Sequence, residues 1–181
     1  MSITTIEAQF VTALANVIST ATAVNNLGPW PIRWPNELFI PGIGGVIALT
    51  PDNAPADAKG NPAPFVEAEV ISGADSAAVS SPGFRQSYTV GVFRVYLIAP
   101  LGSGRVAANV LADAVHDAFK RQTIYLNPPE RLTTWDPRID DNVAEHVAQT
   151  NVRIDAAVPA PWKGARFVRQ ISIPFYWDYV S

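Results

Sequence analysis

The sequence predicts an α+β protein in which two helices pack on one face of a mostly antiparallel sheet of about four to five strands. Two observations carry this expectation. An amphipathic helical pattern opens the chain, and a second one follows its longest apolar segment. Segments with a two-residue alternation then lie on both sides of the second helix, without helices between every pair of them. Strands and helices grouped in this way are typical of α+β domains.

The first helix is predicted over 3–24, where apolar residues recur every three or four positions. The stripe consists of Ile3, Ile6, Phe10, Leu14, Val17 and Ala21. Thr4 and Glu7 have the spacing of a capping box, and Gly28 followed by "PWP" ends the helix. The next stretch, "PIRWPNELFIPGIGGVIALT", is rich in Pro and Gly, so we expect an extended crossing at 30–34 and a turn near Asn36.

A strand at 65–72 and a longer one at 84–98 are expected to form the centre of the sheet. In the first, Val66, Ala68 and Val70 alternate with Glu67 and Glu69. In the second, the half before Gly91 is one-sided and the half after it is apolar on both faces, so one end is exposed and the other is buried.

Finer expectations follow for this pair of strands. The apolar side of the exposed half carries Tyr88 and Val90, and Ser87 and Thr89 lie opposite. Gly91 suits a bend or bulge, and the small residues at 73–83 predict an irregular connection.

The second helix is expected over 103–120, with Ser103 as its N-cap. Its buried stripe is Ala107, Leu111, Ala114, Val115, Ala118 and Phe119. Another short strand falls within "TIYLNPPERLTTWDP", and "NVRIDAA" at 151–157 alternates again. The last strand, "ARFVRQISIPFYWDY", alternates most regularly, and Pro174 predicts that it lies at a sheet edge.

The length of 181 residues favours a single domain over 1–181, and two segments read as loop insertions within it. Residues 50–64 hold four prolines and no large apolar residue, and 136–150 are polar and acidic.

Composition excludes several classes of function. Hydrophobic residues make up 48% of the chain and charged residues only 16%, so a large core or extensive contact with partners is expected. A net charge of −3 gives no basic field for nucleic acid, and the absence of cysteine removes disulfides and thiolate chemistry. Neither a signal peptide nor a membrane-spanning run is present, so we expect synthesis in a cytoplasm.

No motif in the sequence predicts catalysis, a cofactor or a metal. His116 and His146 have acidic neighbours, but His116 lies opposite the apolar stripe of its helix, so a solvated helix face is favoured over a metal site. No G-x-S-x-G elbow is present. The glycine-rich turns at 41–45 and 101–105 lack phosphate-loop spacing. A small enzyme or nucleotide-binding domain that uses 101–105 remains an alternative, which predicts a ligand-induced thermal shift lost on substitution of Gly102 or Gly104.

Arginines and tryptophans are the remaining candidates for partner contacts. The arginines at strand positions could meet a polyanion or an acidic partner, or pair across strands with Glu67 and Glu69. They are Arg85, Arg94, Arg166 and Arg169. The tryptophans in loop-like contexts could pack inward or anchor an interface. They are Trp30, Trp34, Trp135 and Trp162.

Four segments in this order resemble the lambda-type tail terminator, or tail completion, proteins of long-tailed bacteriophages. They are the leading amphipathic helix, "PIRWPNELFIP" with Asn36 and Phe39 as N-x-x-F, "VFRVYLIAPLGSGRVAANVLADAVHDAF" with its P-x-G-x-G step into a helix, and "FVRQISIPFYWDY" with I-P-F near its end. Together they cover most of the chain.

The resemblance implies a structural protein without catalytic activity that forms a ring, usually a hexamer. Such a ring caps the tail tube, stops its polymerisation and joins tail to head. The implied partners are further copies of the chain, the tail tube protein and a head-completion or connector protein, with DNA passing through the lumen and no membrane involved. The implied location is the virion, after assembly in the host cytoplasm. A different neck component, such as a head–tail connector or minor tail protein, is the alternative.

On this interpretation the interface residues are expected in the irregular segment and on the exposed end of the long strand, which would reach toward a neighbouring subunit. The candidates are Trp34, Asn36, Phe39, Arg85 and Tyr88.

Overall fold

The computed structural model describes residues 3–34, 37–50, 53–81, 84–100, 105–125, 130–140 and 166–180. Within those ranges the chain forms two helices and nine strands. In chain order they are α1 (Ile3–Val24), β1 (Ile32–Arg33), β2 (Ala48–Leu49), β3 (Pro55–Ala56), β4 (Phe65–Ser81), β5 (Phe84–Pro100), α2 (Arg105–Phe119), β6 (Thr123–Tyr125), β7 (Arg131–Thr134), β8 (Arg138–Asp140) and β9 (Arg166–Val180).

The main sheet has seven strands in the described ranges, in the order β1-β4-β5-β9-β7-β6, with β8 also paired to β9. Its pairs are antiparallel except for β1 beside β4, and β2 with β3 forms a separate two-stranded sheet. The predicted α+β class and mostly antiparallel sheet are confirmed, but the sheet is larger than four to five strands. The additional strands are two to four residues long. Such short segments carry no readable alternation, and pairing with a long neighbour defines them.

The hairpin of β4 and β5 is longer than predicted, because β4 continues through residues 73–81 and pairs as far as Ser81 with Phe84. The predicted irregular connection at 73–83 is therefore wrong. Small residues give no alternating pattern, yet backbone pairing to a long β5 does not require one. Two register shifts, between Ser72 and Asp75 and between Ala77 and Val79, absorb the irregularity as bulges.

Both helices pack on one face of the main sheet, here called the helix face, and form the larger core with it. Phe10 of α1 lies at its centre. Its ring stacks on that of Phe93 in β5, with 4.3 Å between the ring centroids, and its centroid lies 6.0 Å from that of Phe119 and 5.2 Å from that of Phe175. The predicted helical stripes are confirmed at these positions, which are fully buried in α1 and α2. They include Ile6, Phe10, Leu14, Leu111, Val115 and Phe119.

In the exposed half of β5 the polar side chains are the buried ones. Ser87 and Thr89 are buried at 6% and 4% exposure, whereas Val90 is 41% exposed. The pairing of β5 with β9 is continuous from 86 to 100, so the odd-numbered residues from 87 to 99 share the helix face with Phe93. Because side chains alternate between the two faces along the whole strand, Ser87 and Thr89 lie on the buried helix face although they are polar.

Gly91 and Pro174 have roles other than those predicted. The bulge lies in β4 beside Gly91, while β5 itself is regular against β9. Pro174 is in an interior strand, since β9 has β5 on one side and β7 and β8 on the other. It occupies the interval between the β7 and β8 pairings, where its carbonyl accepts from the Trp135 amide at 2.9 Å and no proline N–H is needed.

Candidate interaction surface

Among the described residues, cover over the second face of the main sheet, opposite the helices, is found at one end only. A smaller core cluster there consists of Phe39, Val46, Ala54, Phe65, Tyr96, Ile98 and Val168, with Leu49 against it. The segment before β3 supplies the cover, and the strands supply the floor. Because this cover stops partway along β4, β5 and β9, the second face has a raised half and an open half.

Arg33 joins the cover to the sheet. Its guanidinium lies 5.1 Å from the ring centroid of Phe39 and 5.6 Å from that of Phe65. It also pairs with Glu67 at 3.5 Å, and Phe39 meets Phe65 edge to face at 5.4 Å. A buried cation stacked on two rings and paired with a carboxylate fixes the start of the cover.

Residues 37–47, here called the aliphatic loop, form the outer surface of the raised half. Phe39 and Val46 point inward and are 6% and 4% exposed. The other large aliphatic side chains point outward, at 56% to 74% exposure. They are Leu38, Ile40, Ile43 and Ile47.

Backbone hydrogen bonds hold the aliphatic loop in shape, including Gly42 N to Val46 O at 2.8 Å and Val46 N to Ile43 O at 3.1 Å. Gly45, at φ +85°, lies so close to Pro29 that a Cβ would meet the proline Cβ at 2.8 Å. The loop therefore cannot turn its outward aliphatic residues into the core without losing this geometry.

The open half of the second face carries an apolar band across three strands and the residue after β7. Ile71 lies opposite Val92, which lies opposite Pro174, and the next row pairs Val90 with Tyr176. Trp135 adds its ring 5.8 Å from that of Tyr176. The apolar band is defined as Ile71, Val90, Val92, Trp135, Pro174 and Tyr176. Ile71, Val90 and Trp135 are 39%, 41% and 49% exposed, which is unusual for large side chains on one sheet face.

Ion pairs border the apolar band at both ends. At the end of the band away from the raised half, Arg131 Nε donates to Asp178 Oδ2 at 2.7 Å. On the side of the raised half, Glu69 pairs with Arg94 at 3.6 Å and accepts from the Tyr96 hydroxyl at 2.9 Å. Burial, with the neighbouring Glu69 carboxylate, raises the pKa of Tyr96 to about 12. An apolar centre inside a polar border is the usual anatomy of a protein interface.

Two of the predicted interface residues pack against other residues of their own subunit. Trp34 is half-buried and stacks on Phe93 at 6.0 Å with an interplanar angle of 12°. Phe39 anchors the aliphatic loop in the smaller cluster and is only 6% exposed, so its ring is not available for outward contact. Among the predicted tryptophan anchors, Trp30 is also buried, and Trp162 lies outside the described residues.

The other predicted interface residues are differently placed. Tyr88 is half-buried on the second face, in register with Asp178 at the far border of the apolar band. Arg85 is paired through its backbone with Ser80, but its side chain lies outside the described part, as does Asn36 altogether. Of the strand arginines, Arg94 pairs across strands with Glu69, as the ion-pair alternative predicts.

Sequence reasoning missed the aliphatic loop. The stretch "PGIGG" drew attention for its glycines, while the informative signal was the set of large aliphatic residues in a segment too rich in Pro and Gly to be a core element. Apolar residues at such positions are either anchors or contacts. Only the fold shows that Phe39 and Val46 are anchors and that their neighbours face outward.

Side chains that could bind a metal or take part in catalysis are dispersed over the described ranges. No group of three or more His, Asp or Glu side chains there is placed to hold a metal ion. His116 contacts Asp117 at 3.0 Å on the outer side of α2. The glycine turn at 101–104 and His146 lie outside the described residues. Neither described helix is long and apolar enough to span a bilayer.

Comparison with known proteins supports the fold. No protein-family model and no curated protein matches the chain. A solved structure, which carries only a sequence identifier as its name, is similar over 98% of this chain and 96% of its own, with a TM-score of 0.54 and 17% identity. Similarity at this identity shows a shared fold over the whole chain and nothing more specific.

Proposed function

We propose that this protein is a structural component of a phage virion that assembles as a ring on the end of the tail tube. The ring stops tube polymerisation and joins the tail to the head. The observation that carries the proposal is the ordered resemblance of four segments to tail terminators, which the structure assembles into α1, β1 with the aliphatic loop, β5 with α2, and β9.

The surface of the chain supports a role in assembly. Only 16% of the residues are charged, and the second face exposes large aliphatic and aromatic side chains at both its raised and open halves. A monomer rarely leaves such surfaces in water, whereas a subunit buries them against partners.

The proposed mechanism is surface complementarity, without any bond-making step. One side of the ring matches the last ring of the tube, and the other side lacks the surface on which a further tube ring adds. That second side receives the head-completion protein. A chain with a net charge of −3 also suits a lumen through which DNA passes without binding.

Polymerisation of the tube protein of the same phage, with and without this protein, tests the proposal. We expect tubes whose length falls as the protein is added, with the protein located at tube ends by gold labelling. Tubes of unchanged length, with the protein bound instead to the portal assembly, would identify a head-side connector and contradict the terminator role.

A further inference from the structure

We propose that the aliphatic loop of one copy packs on the apolar band of a second copy. This inference rests on the proposed function in one respect only, which is that the chain associates with itself. The sequence already suggested contacts in the irregular segment and on the long strand, and the inference specifies which two surfaces meet each other.

The loop has the properties of an inserting element. Its outward side chains, Leu38, Ile40, Ile43 and Ile47, are more than half exposed, and the loop is fixed from below by Phe39 and Val46. Since its shape is set before contact, little ordering cost accompanies binding.

The apolar band has the properties of a receiving surface. It lies on rigid paired strands, and its exposed members Ile71, Val90 and Trp135 are flanked by the Arg131–Asp178 and Glu69–Arg94 pairs. These four charges already have partners within the chain, so covering them leaves none of the four as an isolated ion in a dry contact.

A second copy is the partner that the chain's own shape and charge favour. Each copy carries one raised aliphatic half and one lower open half on the same face, so two copies supply complementary surfaces to each other. The only charge in 37–47 is Glu37, while Arg138 is exposed at the border of the band and has no ion pair in the described ranges. The two residues are of opposite sign and lie next to the surfaces that meet.

The contact joins two different patches, so it allows two kinds of assembly. Two copies that exchange the contact reciprocally form a closed pair, whereas copies that make it head to tail close into a ring when the rotation between them allows it. In the head-to-tail form, the inference gives the proposed ring a specific subunit interface.

Cross-linking between two single-cysteine variants tests the contact directly, because the natural chain contains no cysteine. Ile43→Cys and Val90→Cys are purified separately, mixed and treated with a short bismaleimide. We expect a cross-linked pair in the mixture at a yield well above that of either variant alone. Val106→Cys, at a 76% exposed position on α2, replaces Ile43→Cys as the matched control and should give background yield.

A second measurement uses the natural side chains. The double variant Ile40→Ser/Ile43→Ser should raise the concentration at which the assembly dissociates by roughly tenfold or more, as expected for lost aliphatic burial. Val24→Ser/Val106→Ser changes residues that are 78% and 76% exposed, and should leave that concentration within about twofold. Circular dichroism and thermal unfolding should show both double variants folded.

The outcomes separate this inference from the proposed function. Cross-linked pairs in an assembly of only two subunits would uphold the contact and contradict the ring. Rings that form without cross-linking, and that the loop variant leaves intact, would overturn the contact while upholding the ring. A chain that stays monomeric at high concentration and gives only background cross-linking would overturn both.

Discussion

Replacing Gly91 with alanine is the sharpest test of how closely β4, β5 and β9 pack on the helix face of the sheet. A Cβ at this position would lie 2.5 Å from Cζ of Phe175 and 2.6 Å from the carbonyl oxygen of Ile71. The first neighbour is a fully buried ring packed 5.2 Å from Phe10, and the second is backbone within a paired strand. Neither can yield without disturbing the sheet, so the added methyl group is accommodated only by strain.

Overpacking of a core costs about 1–3 kcal/mol, and a strand glycine gives back roughly 0.5–1 kcal/mol when alanine replaces it. We therefore expect Gly91→Ala to lose about 1 kcal/mol of unfolding free energy, the difference between these two effects. For a chain of 181 residues this lowers Tm by roughly 2–4 °C. Thermal and urea unfolding followed by circular dichroism measure both quantities.

Gly28→Ala is the matched control, because a Cβ there meets nothing within 4 Å and its φ is not in the left-handed region. It should be neutral, or stabilising by up to about 1 kcal/mol. Combining Gly91→Ala with Phe175→Leu should recover part of the loss, since the leucine removes the ring atom but leaves the Ile71 carbonyl. A wild-type Tm for Gly91→Ala, or strict additivity in the double variant, would refute the proposed close packing.

Two further predictions concern the smaller cluster and its border. Tyr96→Phe should cost about 1–2 kcal/mol, because the Glu69 carboxylate loses a buried donor. Because folding raises the pKa of Tyr96 to about 12, its contribution is complete below pH 10 and falls as pH rises toward 12. The stability difference between wild type and Tyr96→Phe should therefore shrink over pH 10–12, and a constant difference would contradict this. Phe39→Ala should cost about 3–4 kcal/mol in urea unfolding, while Ile40→Ser, one position away and 56% exposed, should change stability by less than about 0.5 kcal/mol. Equal losses would contradict the assignment of Phe39 as anchor.

The long elements could be predicted because their patterns are long. The stripe of α1 from Ile6 to Ala21, and the alternation of β9 from Phe167 to Trp177, each repeat often enough to define a buried side. The prediction that Glu67 and Glu69 lie together on the face opposite the apolar residues of β4 is likewise correct, and that face is the second face.

The missed features depend on contacts that local sequence does not encode. Ser87 and Thr89 are buried because β5 keeps one register against β9 over its whole length. Pro174 is tolerated inside the sheet because β7 and β8 leave an interval beside it. Each outcome is set by a neighbour that is distant in sequence.

The same reasoning applies to the candidate interaction surface. The sequence indicated either a large core or extensive contact with partners, and it pointed to the segment around Phe39 as a candidate contact. In the structure Phe39 points inward, and its neighbours Ile40 and Ile43 are the exposed residues. Which side of an irregular loop faces outward follows from the floor on which the loop packs, and that floor is made by β4, β5 and β9.

Molar mass in solution tests most directly whether this chain assembles into a closed ring. Light scattering over a wide range of protein concentration should show the mass rise from the 19.5 kDa of a single chain to a plateau at a small fixed multiple, with annular particles in images of the plateau sample. A mass that stays at 19.5 kDa at every concentration, or that grows without a plateau, would contradict it.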